Sequence, residues 1–107
     1  MKNDPIQKDV FNIENKVIAI IGSVGILGKE YVKYLSSLGA IVIVGDINFS
    51  LCKKLSRKVN DLGYKALPLE IDNTDESSIS DFFFKIIKNY GRLDVLINNA
   101  QIKPKGF

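Results

Sequence analysis

The chain has 107 residues, enough for one domain, and it is 46% hydrophobic and 25% charged, as is common among globular proteins. Its 15 basic and 12 acidic residues leave a net charge of +3 without a basic stripe interleaved with aromatic residues, which argues against a nucleic-acid partner. One cysteine and no histidine exclude an internal disulfide, a multi-cysteine metal site and histidine-based catalysis, and we assign no metal ligand.

The first 15 residues are polar and contain Pro5, and we interpret residues 1–15 as a flexible N-terminal arm. Residues 16–107 form the predicted domain. The polar start is unlike a signal peptide, and no apolar run is long enough to span a bilayer. We therefore expect no membrane partner and a cytoplasmic location.

Continuous apolar runs alternate with helix-like segments from residue 16 onward. Apolar runs at 16–21, 41–46, 64–71 and 93–98 predict four strands, of which the first, second and fourth read as buried on both faces. Between them, apolar residues recur at helical spacing, and each group predicts the buried face of one helix. The three groups are Leu27, Tyr31, Tyr34, Leu35 and Leu38; Leu51, Leu55, Val59 and Leu62; and Ile79, Phe82, Phe83, Ile86, Ile87 and Tyr90.

Small and polar residues mark where the predicted helices begin and end. The first helix begins at Gly25, and either Asn48 or Ser50 can cap the second. Thr74 can cap the third, with two acidic residues in the first turn. A glycine follows each helix, as expected of a C-terminal stop.

The order β-α-β-α-β-α-β predicts an α/β fold with a parallel sheet covered by helices. Right-handed crossovers restrict it to a doubly wound, Rossmann-like sheet of about four strands and three helices, with strand order 3-2-1-4, a truncated form of that fold. This order puts Pro68 on an edge strand, where proline is tolerated.

A glycine-rich loop, Ile-Gly-Ser-Val-Gly-Ile-Leu-Gly at 21–28, joins the first strand to the first helix. Gly22 allows a sharp turn, Gly25 lets a pyrophosphate approach the backbone, and Gly28 lets the helix pack closely on the strand. The alternative is an ordinary glycine-rich turn. The candidate cofactor-binding residues of the loop are Gly22, Ser23, Gly25, Ile26, Leu27 and Gly28.

Asp46 ends the second strand, where an acidic side chain can accept hydrogen bonds from both ribose hydroxyls of an adenosine. The alternative is an aspartate that caps the next helix. Asp46 and the neighbouring Ile47 are the candidate cofactor-binding residues at the end of this strand. Neither Ile47 nor Asn48 carries a positive charge. A 2′-phosphate would be repelled by Asp46, so we expect NAD to be preferred over NADP.

Four segments in this order, IGSVGILG, GDIN, EIDNTD and LDVLINNA, resemble the short-chain dehydrogenase/reductase superfamily over residues 14–101. The resemblance implies that the three loop glycines line the pyrophosphate and Asp46 the adenine ribose. It also implies that Asp72 lies near the adenine, and that Asn98 and Ala100 lie beside the ribose of the adenosine or nicotinamide. Alternatively, Asp72 is a solvated acidic residue that precedes a helix, and Asn98 and Asn99 belong to a turn with a purely structural role.

The sequence departs from the family pattern at three places. The spacing of the glycines is closer to the extended branch, which modifies sugar nucleotides, and this suggests a sugar-type substrate. Ile21 stands where the family usually has threonine, so the threonine hydroxyl contact is absent. Gln101 stands where the family usually has glycine, which affects how closely the backbone approaches the cofactor.

The family's acid–base hydride transfer implies a serine, and a tyrosine followed four residues later by lysine. None of the four tyrosines has that lysine, so no catalytic residue is assigned. We interpret the chain as the N-terminal cofactor-binding portion of an NAD-dependent oxidoreductase acting on a sugar or another hydroxyl or carbonyl compound. Its partners would be a dinucleotide and either a second copy or a missing C-terminal half. A non-catalytic nucleotide-binding module and a non-functional gene fragment remain alternatives.

Overall fold

A turn precedes the first strand of the computed structural model, which describes residues 12–100. In that turn the Asn15 N–H donates to the Gly39 carbonyl at 2.8 Å. Residues 1–11 and 101–107, and with them most of the predicted arm and the departure at Gln101, lie outside the described residues.

Seven elements alternate along the described chain, as the sequence predicts. They are β1 (Val17–Ile21), α1 (Ile26–Ser37), β2 (Ile41–Asp46), α2 (Phe49–Asp61), β3 (Lys65–Glu70), α3 (Glu76–Tyr90) and β4 (Val95–Asn98). None of these helices is long and apolar enough to cross a membrane.

All four strands are parallel and lie in the order β3-β2-β1-β4, which confirms the predicted topology. Ile21, the last residue of β1, pairs with Gly45 on one side and with Asn98 on the other. The carboxyl ends of these strands therefore meet at one edge of the sheet. Pro68 lies in the edge strand β3, as expected of a residue without an N–H.

The core consists of two apolar clusters, one on each face of the sheet. Ile18 and Ile20 of β1 pack with α1 and α2, whereas the alternate residues of β1 pack with Phe82 and Ile86 of α3. Both faces of β1 are buried because helices cover the sheet on both sides.

The helix starts agree with the sequence in two cases of three. Gly25 is the N-cap of α1, and Asn48 caps α2 by accepting a hydrogen bond from the Leu51 N–H at 3.1 Å. The prediction that Thr74 caps α3 is wrong, because Asp75 is the N-cap and accepts from the Ser77 N–H at 3.0 Å.

The face of α1 that meets the sheet is narrower than predicted. Gly28, Val32 and Ser36 are its buried residues, whereas Leu27 and Tyr34 are exposed. A side chain at position 28 would meet the backbone of the loop at Gly22 and Ser23, so the helix approaches the loop closely at Gly28. Tyr31 and Leu35 of the predicted group are partly buried and pack against the core beside this row.

The prediction that β4 is buried is wrong for the described residues. Val95 is 41% exposed and Leu96 is 46% exposed, although both are apolar. No described strand pairs with the outer edge of β4, and its apolar side chains therefore form an exposed patch.

Candidate functional site

A cleft of about 600 Å³ opens at the carboxyl ends of the strands. This volume lies within the range of about 300–1,000 Å³ typical of small-molecule sites. The cleft is formed by the segments that follow all four strands, as expected for a doubly wound sheet. Its lining residues are Ile21, Gly22, Gly25, Ile26, Leu27, Asp46, Ile47, Ile71, Asp72, Asn73, Thr74, Asn99 and Ala100.

Most of the residues selected from the sequence meet in this cleft. They are Gly22, Gly25, Ile26, Leu27, Asp46, Ile47, Asp72 and Ala100. Ser23 and Gly28 are buried beside the cleft rather than in its lining. Asn98 also lies outside the lining, and its side-chain oxygen accepts from the Ala100 N–H at 3.2 Å.

Sequence reasoning missed five lining residues, which are Ile21, Ile71, Asn73, Thr74 and Asn99. Three of them, Ile21, Ile71 and Asn99, end or directly follow a strand at the same edge as Asp46, and the other two lie in the turn between β3 and α3. The position rule that selected Asp46 would have found them, because every strand of a parallel sheet delivers its next residues to this edge.

The loop glycines have different surroundings. Gly22 has a φ of +87°, and a Cβ there would lie 2.8 Å from the Ala100 nitrogen. At Gly25 the nearest atom to such a Cβ would be the Gly22 carbonyl oxygen at 3.6 Å, an ordinary contact. Packing within the protein therefore does not require glycine at position 25, and the free space on its cleft side suits a group that approaches the backbone closely.

The first residues of α1 belong to the lining of the cleft. Gly25 caps α1 without a side-chain hydrogen bond, whereas α2 and α3 are both capped by side chains. The first N–H groups of a helix have no partner within it, and the helix dipole adds positive potential there. An anionic group such as a pyrophosphate fits this arrangement.

Asp46 connects the glycine loop to the start of α2. Its Oδ2 accepts from the Val24 N–H at 3.3 Å, and its Oδ1 accepts from the Asn48 N–H at 3.2 Å. Because Asn48 is the residue that caps α2, Asp46 does not have that role. The half-buried carboxylate retains lone pairs for hydroxyl groups in the cleft.

Asp72 contributes a second carboxylate to the lining. Hydrogen bonds from the Thr74 hydroxyl at 2.7 Å and the Thr74 N–H at 2.9 Å hold the pKa of Asp72 below its ordinary value. Its own N–H donates to the Ser78 hydroxyl at 2.8 Å, which fixes the turn before α3. Neither lysine nor arginine occurs among the lining residues.

Cys52 lies beneath the cleft, and its sulfur is 4.0 Å from the Asp46 carbonyl oxygen. Burial, followed by the charges of Asp46 and Glu70, raises the pKa of Cys52 to about 12. The thiol is therefore neutral at physiological pH and packs as a core residue. Among residues 12–100, no three acidic, cysteine or histidine side chains cluster as metal ligands.

Comparison with known proteins gives a consistent result. The profile of the short chain dehydrogenase family matches residues 16–107. The chain is 35% identical over 91 residues to the oxidoreductase YxjF of Bacillus subtilis, a match covering 85% of this chain and 35% of YxjF. It is 36% identical over 90 residues to 3-oxoacyl-(acyl-carrier-protein) reductase FabG of Thermotoga maritima, covering 84% of this chain and 37% of FabG.

Among solved structures, the chain resembles a hydroxysteroid dehydrogenase from Escherichia coli with a TM-score of 0.84 and 29% sequence identity. That superposition covers 94% of this chain and 44% of the dehydrogenase. The chain thus spans little more than a third of the length of the curated relatives described above.

Proposed function

The chain belongs to the short-chain dehydrogenase/reductase superfamily, of which it represents the N-terminal part, and on this premise we propose that its cleft binds NAD. The observation that carries the proposal is the free space at Gly25, beside a helix start without a side-chain cap and opposite Asp46. When bound, NAD would supply the hydride acceptor of an oxidoreductase.

Each part of the dinucleotide has a candidate partner. The pyrophosphate would lie over Gly25 and accept from the first N–H groups of α1. Asp46 would accept from the adenosine ribose hydroxyls, with Ile47 and Asp72 flanking the adenine. Ala100 would lie toward the ribose of the nicotinamide, with Asn98 holding the Ala100 N–H.

NAD should be preferred over NADP because the cleft has two carboxylates and no cationic lining residue among those described. The 2′-phosphate of NADP carries roughly two negative charges at neutral pH. At a few ångströms from Asp46, and with an effective dielectric constant of about 20, the repulsion amounts to a few kcal/mol.

Membership of the family supports hydride transfer as the reaction class, and we propose a hydroxyl or carbonyl compound as the substrate. The relatives named above include a 3-oxoacyl reductase and a hydroxysteroid dehydrogenase. The glycine spacing of the loop favours a sugar-type substrate, which stays a prediction, as does the cytoplasmic location.

A second candidate function is nucleotide binding without turnover. It is favoured by one observation, namely that no tyrosine of the 107 residues is followed four positions later by lysine. In either case the cleft binds the dinucleotide, so the two functions differ only in hydride transfer. Because no catalytic residue is assigned in these 107 residues, only the appearance of NADH oxidation, with a panel of ketones and nucleotide sugars, would decide between them, and it would exclude binding without turnover.

Calorimetric titration tests the shared premise. We expect NAD and ADP-ribose to bind and to compete with each other, because both carry the adenosine and pyrophosphate. Nicotinamide mononucleotide, which lacks the adenosine, should bind much more weakly. A chain that is folded by circular dichroism but binds neither NAD nor ADP-ribose would contradict the proposal.

A further inference from the structure

We propose that Ser23 is a positioning residue whose buried hydroxyl fixes the glycine loop relative to Asp46. This inference rests on the proposed binding of NAD. Ser23 does not line the cleft, and its exposed fraction is 0%. Its effect on a ligand must therefore pass through the residues it holds.

The Ser23 hydroxyl makes two hydrogen bonds between the ends of β1 and β2. It donates to the Ile20 carbonyl at 2.6 Å and accepts from the Gly45 N–H at 3.1 Å. The Gly45 carbonyl in turn accepts from the Gly22 N–H at 2.9 Å and from the Ser23 N–H at 3.0 Å. Gly45 is thus held through both of its backbone polar groups by the start of the glycine loop.

These bonds lie where the β1–β2 ladder stops. Ile21 and Gly45 are the last paired residues of β1 with β2, and beyond them the chain turns into the loop. The hydroxyl takes the place of a backbone partner for the buried Gly45 N–H, which would otherwise be left unsatisfied. Ser23 is also the only residue of the loop 21–28 that has a hydroxyl group.

The residue that follows each end of this connection reaches the other through a hydrogen bond. Val24 comes after Ser23 and Asp46 comes after Gly45, and the Val24 N–H donates to the Asp46 carboxylate at 3.3 Å. A shift of Gly45 relative to Ser23 would therefore move the carboxylate relative to the loop. The distance between the ribose and pyrophosphate subsites would change with it, although no contact with the ligand is lost.

Ser23→Ala tests this inference, with Ser36→Ala as the matched control. Ser36 is equally buried, at 1% exposed, and its hydroxyl donates to the Lys33 carbonyl at 3.1 Å within α1. We expect Ser23→Ala to weaken NAD affinity about tenfold and to reduce the preference for NAD over NADP, since one buried donor loses its partner. Ser36→Ala should change neither quantity more than about twofold.

The preference for NAD over NADP is the decisive measurement, because a general loss of stability would weaken both cofactors alike. Ser23→Thr keeps the hydroxyl and should keep the preference. Ser23→Cys fills a similar space with a weak hydrogen-bonding group and should lose it, which gives a second reading if Ser23→Ala does not fold. Hydrogen exchange of the Gly45 amide should be faster in the Ala and Cys variants than in wild type.

Two outcomes would overturn the inference in distinguishable ways. If wild type binds NAD and Ser23→Ala matches Ser36→Ala in affinity and preference, Ser23 has no positioning role. If wild type itself binds no NAD, the proposed function fails together with this inference.

Discussion

A Cβ atom on Gly28 would overlap the carbonyl oxygen of Gly22. Helix α1 can therefore lie against the glycine loop only because position 28 has no side chain. A Cβ on Gly25 would lie 3.6 Å from the same oxygen, without a clash. Gly28 thus serves the packing of the protein, whereas the space at Gly25 belongs to the cleft.

Alanine substitutions should separate these two purposes. We expect Gly28→Ala to destabilise the fold by about 1–3 kcal/mol, because backbone atoms must move to admit the methyl group. Gly25→Ala should change stability by less than about 1 kcal/mol, yet weaken NAD at least about tenfold by filling the pyrophosphate subsite. Urea unfolding and calorimetric titration measure the two effects, and a Gly25→Ala variant with unaltered NAD affinity would contradict the assignment of the cleft.

The ring of Phe82 occupies the space that a side chain at Gly45 would need. A Cβ at position 45 would lie 2.7 Å from the Phe82 ring, which is fully buried. We expect Gly45→Ala to reduce the free energy of unfolding by about 1–3 kcal/mol, as in other overpacked cores. Combining it with Phe82→Leu should give a loss smaller than the sum of the two single losses, measured in a double-mutant cycle. If the two single losses of stability are strictly additive, contact with Phe82 is not the cause of the loss in Gly45→Ala.

Hydrophobic pattern was sufficient to predict the sheet and its order, because continuous apolar strands and the position of Pro68 leave few topologies. It was insufficient for α1, where Val32 is buried and Leu27 is exposed. The close approach at Gly28 decides which row of the helix meets the sheet, and this distance is a property of backbone packing rather than of residue type.

The residues of the candidate site, too, could be predicted only in part from the sequence. The glycine spacing and Asp46 could be predicted, because each follows from the chemistry of a ligand at the end of a strand. Asn73 and Asn99 could be found only by their positions, since neither residue type nor spacing distinguishes them from other loop residues. The cap of α3 was misassigned because Thr74 donates instead to Asp72, a local competition between two hydrogen-bonding partners.

Removing the carboxylate of Asp46 should narrow the preference for NAD over NADP. In Asp46→Ala the repulsion toward a 2′-phosphate disappears, so we expect NADP affinity to rise relative to NAD by about tenfold or more. Affinity for NAD itself should fall, because the ribose hydroxyls lose their acceptor. Titration with both cofactors measures the ratio, with Asp61→Ala as the control for loss of one acidic residue at the far end of α2. An unchanged ratio in Asp46→Ala would mean that another group sets the preference.

Asp94 should contribute to stability in a way that depends on pH. The Arg92 side chain, at 2.9 Å, and the Val17 N–H, at 2.7 Å, hold the pKa of Asp94 below its ordinary value. The stabilisation is therefore complete above about pH 4, the value in the unfolded chain, and is lost as pH falls through the lower folded-state pKa. Asp94→Asn should be less stable than wild type at pH 7 and should show a smaller further loss on acidification.

Thermal unfolding between pH 7 and pH 2 tests this dependence on Asp94. Asp81→Asn is the control, because it removes a carboxylate from an exposed ion pair with Lys85 that contributes little to stability. Asp94 directly precedes β4, and its carboxylate accepts a hydrogen bond from the first residue of β1. Parallel pH profiles for wild type and Asp94→Asn would show that this carboxylate does not stabilise the fold in a pH-dependent way.

The exposed edge of β4 should make the 107-residue chain self-associate. Leu96 is 46% exposed on a strand whose outer edge has no described neighbour, and such an apolar edge pairs readily with another chain. Leu96→Lys places a charge on that strand. As concentration is raised, this variant should have a lower apparent mass by light scattering than wild type. Leu62→Lys makes the same substitution at a residue 70% exposed just after α2, distant in sequence from β4, and should leave the association unchanged. Equal behaviour of the two variants would show that association, if present, depends on general hydrophobicity rather than on the β4 edge.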